Sequence, residues 1–362
     1  MEKSKIKILF VTNHLEFGNG VANALVELAN ALDKNKFDIT IMTIYRCDNE
    51  YIKKFDKSIK IKKIFNGYFT GLSKFVRLLP QGILYRFWIK DKYDIEIAYQ
   101  YGTPTEVLAR SKNKKAKHIA WMHGYGEEYL KLHKKFDKIV CCSKSSMESY
   151  IKSFEQPYKV TYLYNLINDN LILEKSKADF GTDKEYDFTF CTVGRLSPEK
   201  GFDRLLKCHK RLIEEGLVHN LWIVGGGAEF EKLNDYVAEN HLNKSVRLYG
   251  HQNNPYPYML NSNMFVCSSY SEGFSTVCVE AGILGKSILT TEVSGAKEFV
   301  ADNNIGIIVD NSTEALYQGL RSILLDKNCV KQFEQNLEKV KDMHYSDRLI
   351  AVENFFERLN EI

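Results

Sequence analysis

Short runs of apolar, β-branched and aromatic residues recur along the chain at 6–12, 38–45, 94–100, 118–122 and 138–142. A second series follows at 187–193, 220–224, 245–249, 264–268, 287–290 and 306–309. Most runs are continuous rather than alternating, the pattern of strands covered on both faces. Between them the period changes. Val21, Ala24, Leu25, Leu28, Ala29 and Leu32 follow the i, i+3, i+4, i+7 spacing of one buried helical face, and 202–212 and 230–237 repeat it. The alternation predicts an α/β fold with parallel sheets. A polar stretch rich in Asn, Asp and Lys, 167–185, separates the two series and reads as a linker. The expected division is 1–166, the linker, 186–344, and a terminal helix over 345–362 that is a candidate to pack back on the first domain.

Length agrees with this division, since 362 residues exceed one ordinary hydrophobic core. No run approaches the ~18 apolar residues of a spanning helix, and 6–12 is too short for a signal peptide. A cytoplasmic protein is therefore expected. The eight cysteines are scattered, mostly in strand-like runs, with no C-x-x-C or zinc-like spacing, so reduced buried thiols are expected. The net charge of +4 does not point to nucleic acid. Its distribution is more telling, because 53–92 carries eleven Lys and Arg against Asp56 and Asp91. Phe65, Tyr68, Phe69, Phe75, Tyr85, Phe87 and Trp88 are interleaved with them. Such a segment suits an anionic membrane surface, although a solvated helix face with core aromatics has the same composition.

In open α/β sheets, ligands bind beyond the carboxyl ends of the strands, so the loops there carry the candidate chemistry. Gly18 and Gly20 lie in the loop before the first helix, whose N-terminus can offer N–H groups to an anion; turn geometry alone would also explain them. Arg195 and Lys200 flank a turn after the run 187–193 and can clamp a diphosphate, Arg through its fork and Lys as a point charge. Gly225, Gly226 and Gly227 allow close backbone approach but lack the G-x-G-x-x-G spacing of a dinucleotide site. Ser275 is placed to cap a helix running through Ala281, aiming the N–H groups of Thr276 and Val277 at a phosphate or sugar hydroxyl. Glu272 precedes that helix and Glu280 lies inside it among apolar neighbours. A carboxylate so placed needs partners.

The ordered set Gly-Arg…Glu-Lys-Gly (194–201), Val-Gly-Gly-Gly (224–227), Tyr-Gly-His (249–251), Ser-Glu-Gly-Phe-Ser…Val-Glu-Ala (271–281) and Ser-Gly-Ala-Lys-Glu (294–298) resembles the family-4 retaining glycosyltransferases. The likeness is firm from about 187 to 310 and looser before it. It implies the glycosyltransferase-B (GT-B) fold, two Rossmann-like domains with parallel sheets facing a cleft, the donor held by the C-terminal one. By this resemblance Arg195 and Lys200 hold the donor diphosphate, and Glu272 with Gly273, Phe274 and Ser275 binds donor-sugar hydroxyls. Thr276 and Val277 reach phosphate, Glu280 accepts from the ribose, and Gly225 and Gly226 approach the nucleotide. His251 borders the base, and the Gly18–Gly20 loop closes over the reacting centre. His123, in Trp-Met-His-Gly, matches the family's histidine near the donor sugar, and Asn165 matches an Asn at the domain junction.

The N-terminal loop departs from the family pattern, since Gly18-Asn-Gly20 is followed by Val-Ala-Asn rather than a basic residue. No Asp-x-Asp stands where a sugar diphosphate could use it, which fits a metal-independent enzyme without a resident cofactor. The resemblance thus implies transfer of a sugar from a UDP-sugar, or second a GDP-sugar, with retained configuration. The expected acceptor is a glycan or polyprenyl-diphosphate-linked glycan of capsule, exopolysaccharide or lipopolysaccharide synthesis, at the inner face of the membrane. A GT-B sugar-nucleotide epimerase and a non-catalytic sugar-nucleotide binder are the alternatives.

Overall fold

The computed structural model describes residues 4–17, 19–65, 67, 75–76, 78–124, 127–179, 181, 184–272, 275–340 and 345–361. The chain divides into two compact units, Met1–Ile167 with Tyr345–Ile362, and Asn168–His344. Unit 1 holds β1 (Ile6–Leu15), β2 (Phe37–Cys47), β3 (Lys60–Lys63), β4 (Ile95–Ala98), β5 (Lys117–Met122), β6 (Lys138–Cys141) and β7 (Val160–Tyr162) in the order β3-β2-β1-β4-β5-β6-β7. Unit 2 holds β8 (Thr189–Val193), β9 (Asn220–Val224), β10 (Val246–Leu248), β11 (Met264–Cys267), β12 (Ile288–Thr291) and β13 (Gly306–Val309) in the order β10-β9-β8-β11-β12-β13. Every pairing is parallel. Strand order reverses between β1 and β4 in one sheet and between β8 and β11 in the other.

Continuous apolar strands follow from two covered faces. Along β1, Ile8 and Phe10 join one core cluster while Leu9 and Val11 join another. The first cluster includes Leu25 and Leu28 of the helix Gly20–Ala31, and Val352, Phe356 and Leu359 of the final helix Tyr345–Glu361. Phe356 meets Phe10 and Phe37 edge-on at 6.3 and 6.1 Å. Arg348 donates to the Asn165 carbonyl at 3.1 Å, and Lys36 reaches Glu353 and Glu357 at 3.2 and 3.0 Å. The last helix is therefore part of unit 1. All eight cysteines are free, and six are buried.

Two strands, β3 and β7, fall outside the runs that the sequence predicts, and both are sheet edges. β3 reads Lys-Ile-Lys-Lys, and its cations have partners: Lys60 meets Asp38 at 3.0 Å, Lys62 meets Asp91, and Lys63 meets Asn49 at 2.6 Å. Charged residues on an edge strand discourage pairing with another chain. Part of the basic stretch is thus edge protection. The segment 167–185 also differs from a plain linker. Asn168 caps a helix, Asp169–Lys175, by accepting from Leu171 N at 3.0 Å, and Ile172 buries itself.

Within unit 1, β4 carries a fully buried carboxylate, Glu96, which accepts from Tyr85 Oη at 2.8 Å. On the neighbouring strand His118 lies 3.2 Å from Glu96 and 3.7 Å from Asp137. Burial alone lowers the His118 pKa, but these carboxylates outweigh it and raise it to about 9. A histidine raised in the folded state stabilises fully below its ordinary pKa of 6.5 and loses that effect as pH rises through the folded value. Each tenfold change in proton affinity is worth roughly 1.4 kcal/mol. Comparing wild type with His118→Gln by urea unfolding should therefore show a stability difference that shrinks by about 3 kcal/mol between roughly pH 6 and pH 10. A difference that stays flat over that range would overturn the assignment.

Candidate functional site

The strand order of unit 2 reverses between β8 and β11, the place where such sheets bind ligands. Arg195 and Lys200 follow β8, and Glu272 follows β11. The neighbouring loops are bound together by backbone hydrogen bonds. Gly194 N donates to Val224 O at 3.0 Å, Leu196 N to Gly226 O at 2.9 Å, and Gly225 N to Gly250 O at 2.8 Å. A Cβ on Gly225 would stand 1.8 Å from Gly194 O, and one on Gly227 would stand 2.3 Å from Leu196 O. These two glycines are required by loop-to-loop contact, whatever ligand lies above them. Gly226 instead makes room for His251, whose Cβ would be 3.1 Å from a Cβ there. His251 itself is exposed.

The charged centre is an ion pair. Lys200 Nζ donates to both Glu272 oxygens, at 2.7 and 2.9 Å, and Ser269 Oγ donates to Oε1 at 2.6 Å. The side chains are only 23% and 9% exposed, so each charge relies on the other. Lys200 ends a short 3-10 turn, Pro198–Lys200, and Gly201 closes it in the left-handed region with φ +64°. A Cβ on Gly201 would lie 2.2 Å from Ser268 O. Ser268 Oγ donates to Lys200 O at 3.0 Å and Tyr270 N to Glu199 O at 2.8 Å, which fastens the two loops together. Arg195 is exposed and reaches Glu199 at 3.1 Å. Burial pushes the Glu199 carboxyl up, but hydrogen bonds from Ser197, backbone and Arg195 leave it below its ordinary pKa.

Ser275 occupies the cap position of the helix Thr276–Ile283, yet its hydroxyl makes no capping bond. It sits 3.7 Å from Cys267 Sγ instead. This corrects the expected cap: the buried thiol at the end of β11 holds the hydroxyl, and the first turn has no side-chain cap among the described residues. Thr276 and Val277 begin that helix, and Glu280 is half-buried on it. The segment 294–298 runs into a π-helical turn, Lys297–Ala301, a distortion common beside functional sites. Gly273 and Phe274 lie outside the described residues, as does Gly18.

The remaining candidates belong to unit 1. His123 follows β5, 4.5 Å from the Tyr99 ring. Burial lowers its pKa to about 3, so the imidazole is neutral, and Nε2 has no hydrogen-bond partner among the described residues. Gly20 opens the first helix, but Asn19 Oδ1 already accepts from Val21 N and Ala22 N at 3.1 and 3.2 Å. That helix end is satisfied by its own chain, which corrects the anion site expected there. At the β1/β4 reversal Gln100 Oε1 accepts from Thr12 Oγ1 at 3.0 Å and Asn13 N at 2.9 Å, and just beyond β1 Glu16 pairs with Arg46 at 3.3 Å. One residue has no counterpart among the sequence candidates, the buried Arg204 behind the ion pair. A lone Arg on an amphipathic helix gives no signal.

Among the described residues no group of three or more His, Cys, Asp or Glu could hold a metal ion. Two family models match the chain, "Glycosyltransferase Family 4" over residues 18–171 and "Glycosyl transferases group 1" over 174–340. An N-acetylgalactosaminyltransferase of Campylobacter jejuni, named for an N-acetylgalactosamine-N,N'-diacetylbacillosaminyl-diphospho-undecaprenol acceptor, is 31% identical over 220 residues. That match takes in 58% of this chain, which spans 59% of the relative's length. The lipopolysaccharide core biosynthesis glycosyltransferase LpsE of Rhizobium meliloti is 24% identical over 87% of this chain and 89% of its own. Anabaena HepE, solved with UDP and glucose, superimposes with a TM-score of 0.76 at 18% identity, covering 99% of this chain and 100% of that one. The two family models together take in nearly the whole chain, the fold is that of the solved GT-B structure, and the protein belongs to the group 1, family-4 glycosyltransferases.

Proposed function

We propose that the chain moves a sugar from a nucleoside diphosphate, UDP first and GDP second, to a hydroxyl of a glycan or polyprenyl-diphosphate-linked glycan, with retained configuration. Capsule, exopolysaccharide or lipopolysaccharide synthesis is the setting that its relatives suggest. The observation that carries the reading is the Lys200–Glu272 pair beside an uncapped helix start at the strand-order reversal of unit 2. UDP is favoured because HepE was solved with it. A lipid-linked acceptor is favoured by the name of the Campylobacter relative.

In this reading the donor diphosphate meets Lys200, Arg195 and the N–H groups of Thr276 and Val277. Glu272 exchanges its contacts for sugar hydroxyls, with Gly273, Phe274 and Ser275 beside it. Glu280 takes the ribose hydroxyls, Gly225 and Gly226 face the nucleotide, and His251 borders the base. Gly18 and Gly20 close over the sugar, and the neutral His123 ring contributes from unit 1. The bond from the anomeric carbon to the diphosphate breaks while the acceptor oxygen bonds to that carbon on the same face. The departing phosphate oxygen takes the acceptor proton. Neither a metal nor a cofactor is assigned a step, since cations and oriented N–H groups can stabilise the leaving charge.

A thermal-shift panel of nucleotide sugars, followed by assay of released UDP or GDP, tests the donor class. Lys200→Ala should lower turnover by about 10²–10³-fold, the scale of losing one charge-stabilising donor, without unfolding the protein. Near-normal transfer by that variant would remove the clamp assignment.

Membrane contact is proposed for a narrower surface than 53–92. The helix Gln81–Trp88 buries Leu84 and Tyr85 and exposes Ile83 and Phe87, with Phe75 and Leu78 exposed just before it. Arg86, Lys90 and Lys92 are exposed around them. An apolar face rimmed by cations suits an anionic bilayer. No helix among the described residues is long and apolar enough to cross a membrane. Wild type should float with anionic liposomes at low salt, and Ile83→Asp with Phe87→Asp should abolish flotation. Absence of wild-type binding at low salt would sink this part.

A further inference from the structure

Arg204 lies on the helix Phe202–Glu214, one turn before the buried Cys208, and is 1% exposed. A buried guanidinium ordinarily has a carboxylate partner, because taking the charge out of water is costly. Among the described residues no carboxylate lies within ion-pair distance of it. Its partners are the backbone of one loop and the residues that brace that loop. Nε donates to Ser268 O at 2.8 Å, and Nη2 donates to Ser269 O at 2.7 Å and Asn311 Oδ1 at 2.9 Å. The guanidinium carbon stands 3.8 Å from the Tyr270 ring centre, a cation–π contact. Thr291 Oγ1 donates to Ser269 O at 2.6 Å, and Asn311 Nδ2 to Tyr270 O at 2.8 Å.

The carbonyls of Ser268 and Ser269 are therefore held from the core by Arg204 and Thr291, and that of Tyr270 is held by the exposed Asn311. All three residues also reach the site with their remaining groups: Ser268 Oγ donates to Lys200 O, Ser269 Oγ to Glu272, and Tyr270 N to Glu199 O. A planar fork fixes the orientation of two peptide planes at once, which a single ammonium cannot do. A buried charge adds little to stability compared with an apolar side chain of similar size, so fold stability alone does not account for Arg204.

We infer that Arg204 is a positioning residue that sets the orientation of Glu272, and through it Lys200, by fixing the carbonyls of Ser268 and Ser269 and packing against the Tyr270 ring. The inference rests on the proposed donor role of that pair. Arg204 touches neither member of the pair in this structure and acts through the loop, with Thr291 and Asn311 as its assistants.

The test uses Arg204→Lys, which keeps the charge and loses the fork, and Thr291→Val, a near-isosteric change that removes one brace. Two quantities are read in the full chain. The first is the rate at which an amine-acylating reagent labels Lys200, followed by peptide mass spectrometry; the second is turnover against UDP affinity. Labelling of Lys200 should rise by about 3-fold or more in both variants as its carboxylate partner drifts. Turnover should fall by about 10-fold or more in Arg204→Lys, the scale of a misplaced contact, while UDP affinity, which also draws on Lys200, falls by clearly less. Thr291→Val should lower turnover in the same direction by less. Unchanged labelling and turnover in folded Arg204→Lys would overturn the inference. So would equal losses of turnover and UDP affinity, which mark a general collapse of the unit. If wild type binds no nucleoside diphosphate, the donor reading fails, while the labelling arm still decides whether Arg204 positions the pair.

Discussion

A carboxylate almost out of water must find a cation, and in unit 2 that requirement governs the geometry of the whole strand-end surface. Glu272 and Lys200 come from different loops, so the loops must meet, and they meet only because β8 and β11 are neighbours where the strand order reverses. Gly201 then has to adopt a backbone that no Cβ would fit against Ser268. The next loop, with Gly225 and Gly227, has to close on Gly194 and Leu196 from the other side. The pair itself contributes little net stability once desolvation is counted. It contributes definition, because each charge is left with one good arrangement.

The strands at the centres of the sheets could be read directly from the sequence, since both of their faces are covered and the apolar runs are unbroken. β3 and β7 could not. An edge strand needs no apolar run, and a Lys-rich tetrapeptide such as 60–63 looks like a solvated turn until a neighbour supplies its hydrogen bonds. The charged site residues were visible because Arg, Lys and Glu at strand ends are conspicuous. Their supports were not. Whether a glycine serves a ligand or another loop depends on what stands opposite, and for Gly225 the opposite atom is a carbonyl of its own chain. Hydroxyl direction is hidden in the same way: Ser275 had the right place to cap a helix, but its hydroxyl turns to Cys267. Asn19, standing where an Asn commonly caps a helix, is the residue that caps the first helix of unit 1.

The two units treat charge differently. At its strand-order reversal unit 1 presents the Gln100 amide, the Thr12 hydroxyl and the neutral His123 ring, with a Glu16–Arg46 ion pair just beyond β1, whereas unit 2 presents two cations and a carboxylate. Neutral groups discriminate hydroxyl patterns through geometry, and charges hold phosphates with less regard to orientation.

The docking of Tyr345–Glu361 on unit 1 has a consequence for how the protein is made. Unit 2 is continuous in the chain and has all its own strands once residue 344 has emerged from the ribosome. Unit 1 begins first and finishes last. Until Phe356 arrives, the side of the sheet around Phe10 and Phe37 lacks its cover, and that apolar surface is exposed to whatever the cell offers. Nascent chains of this topology should call on chaperones for the earlier-made half, and a truncation near the end should damage the half that was synthesised first.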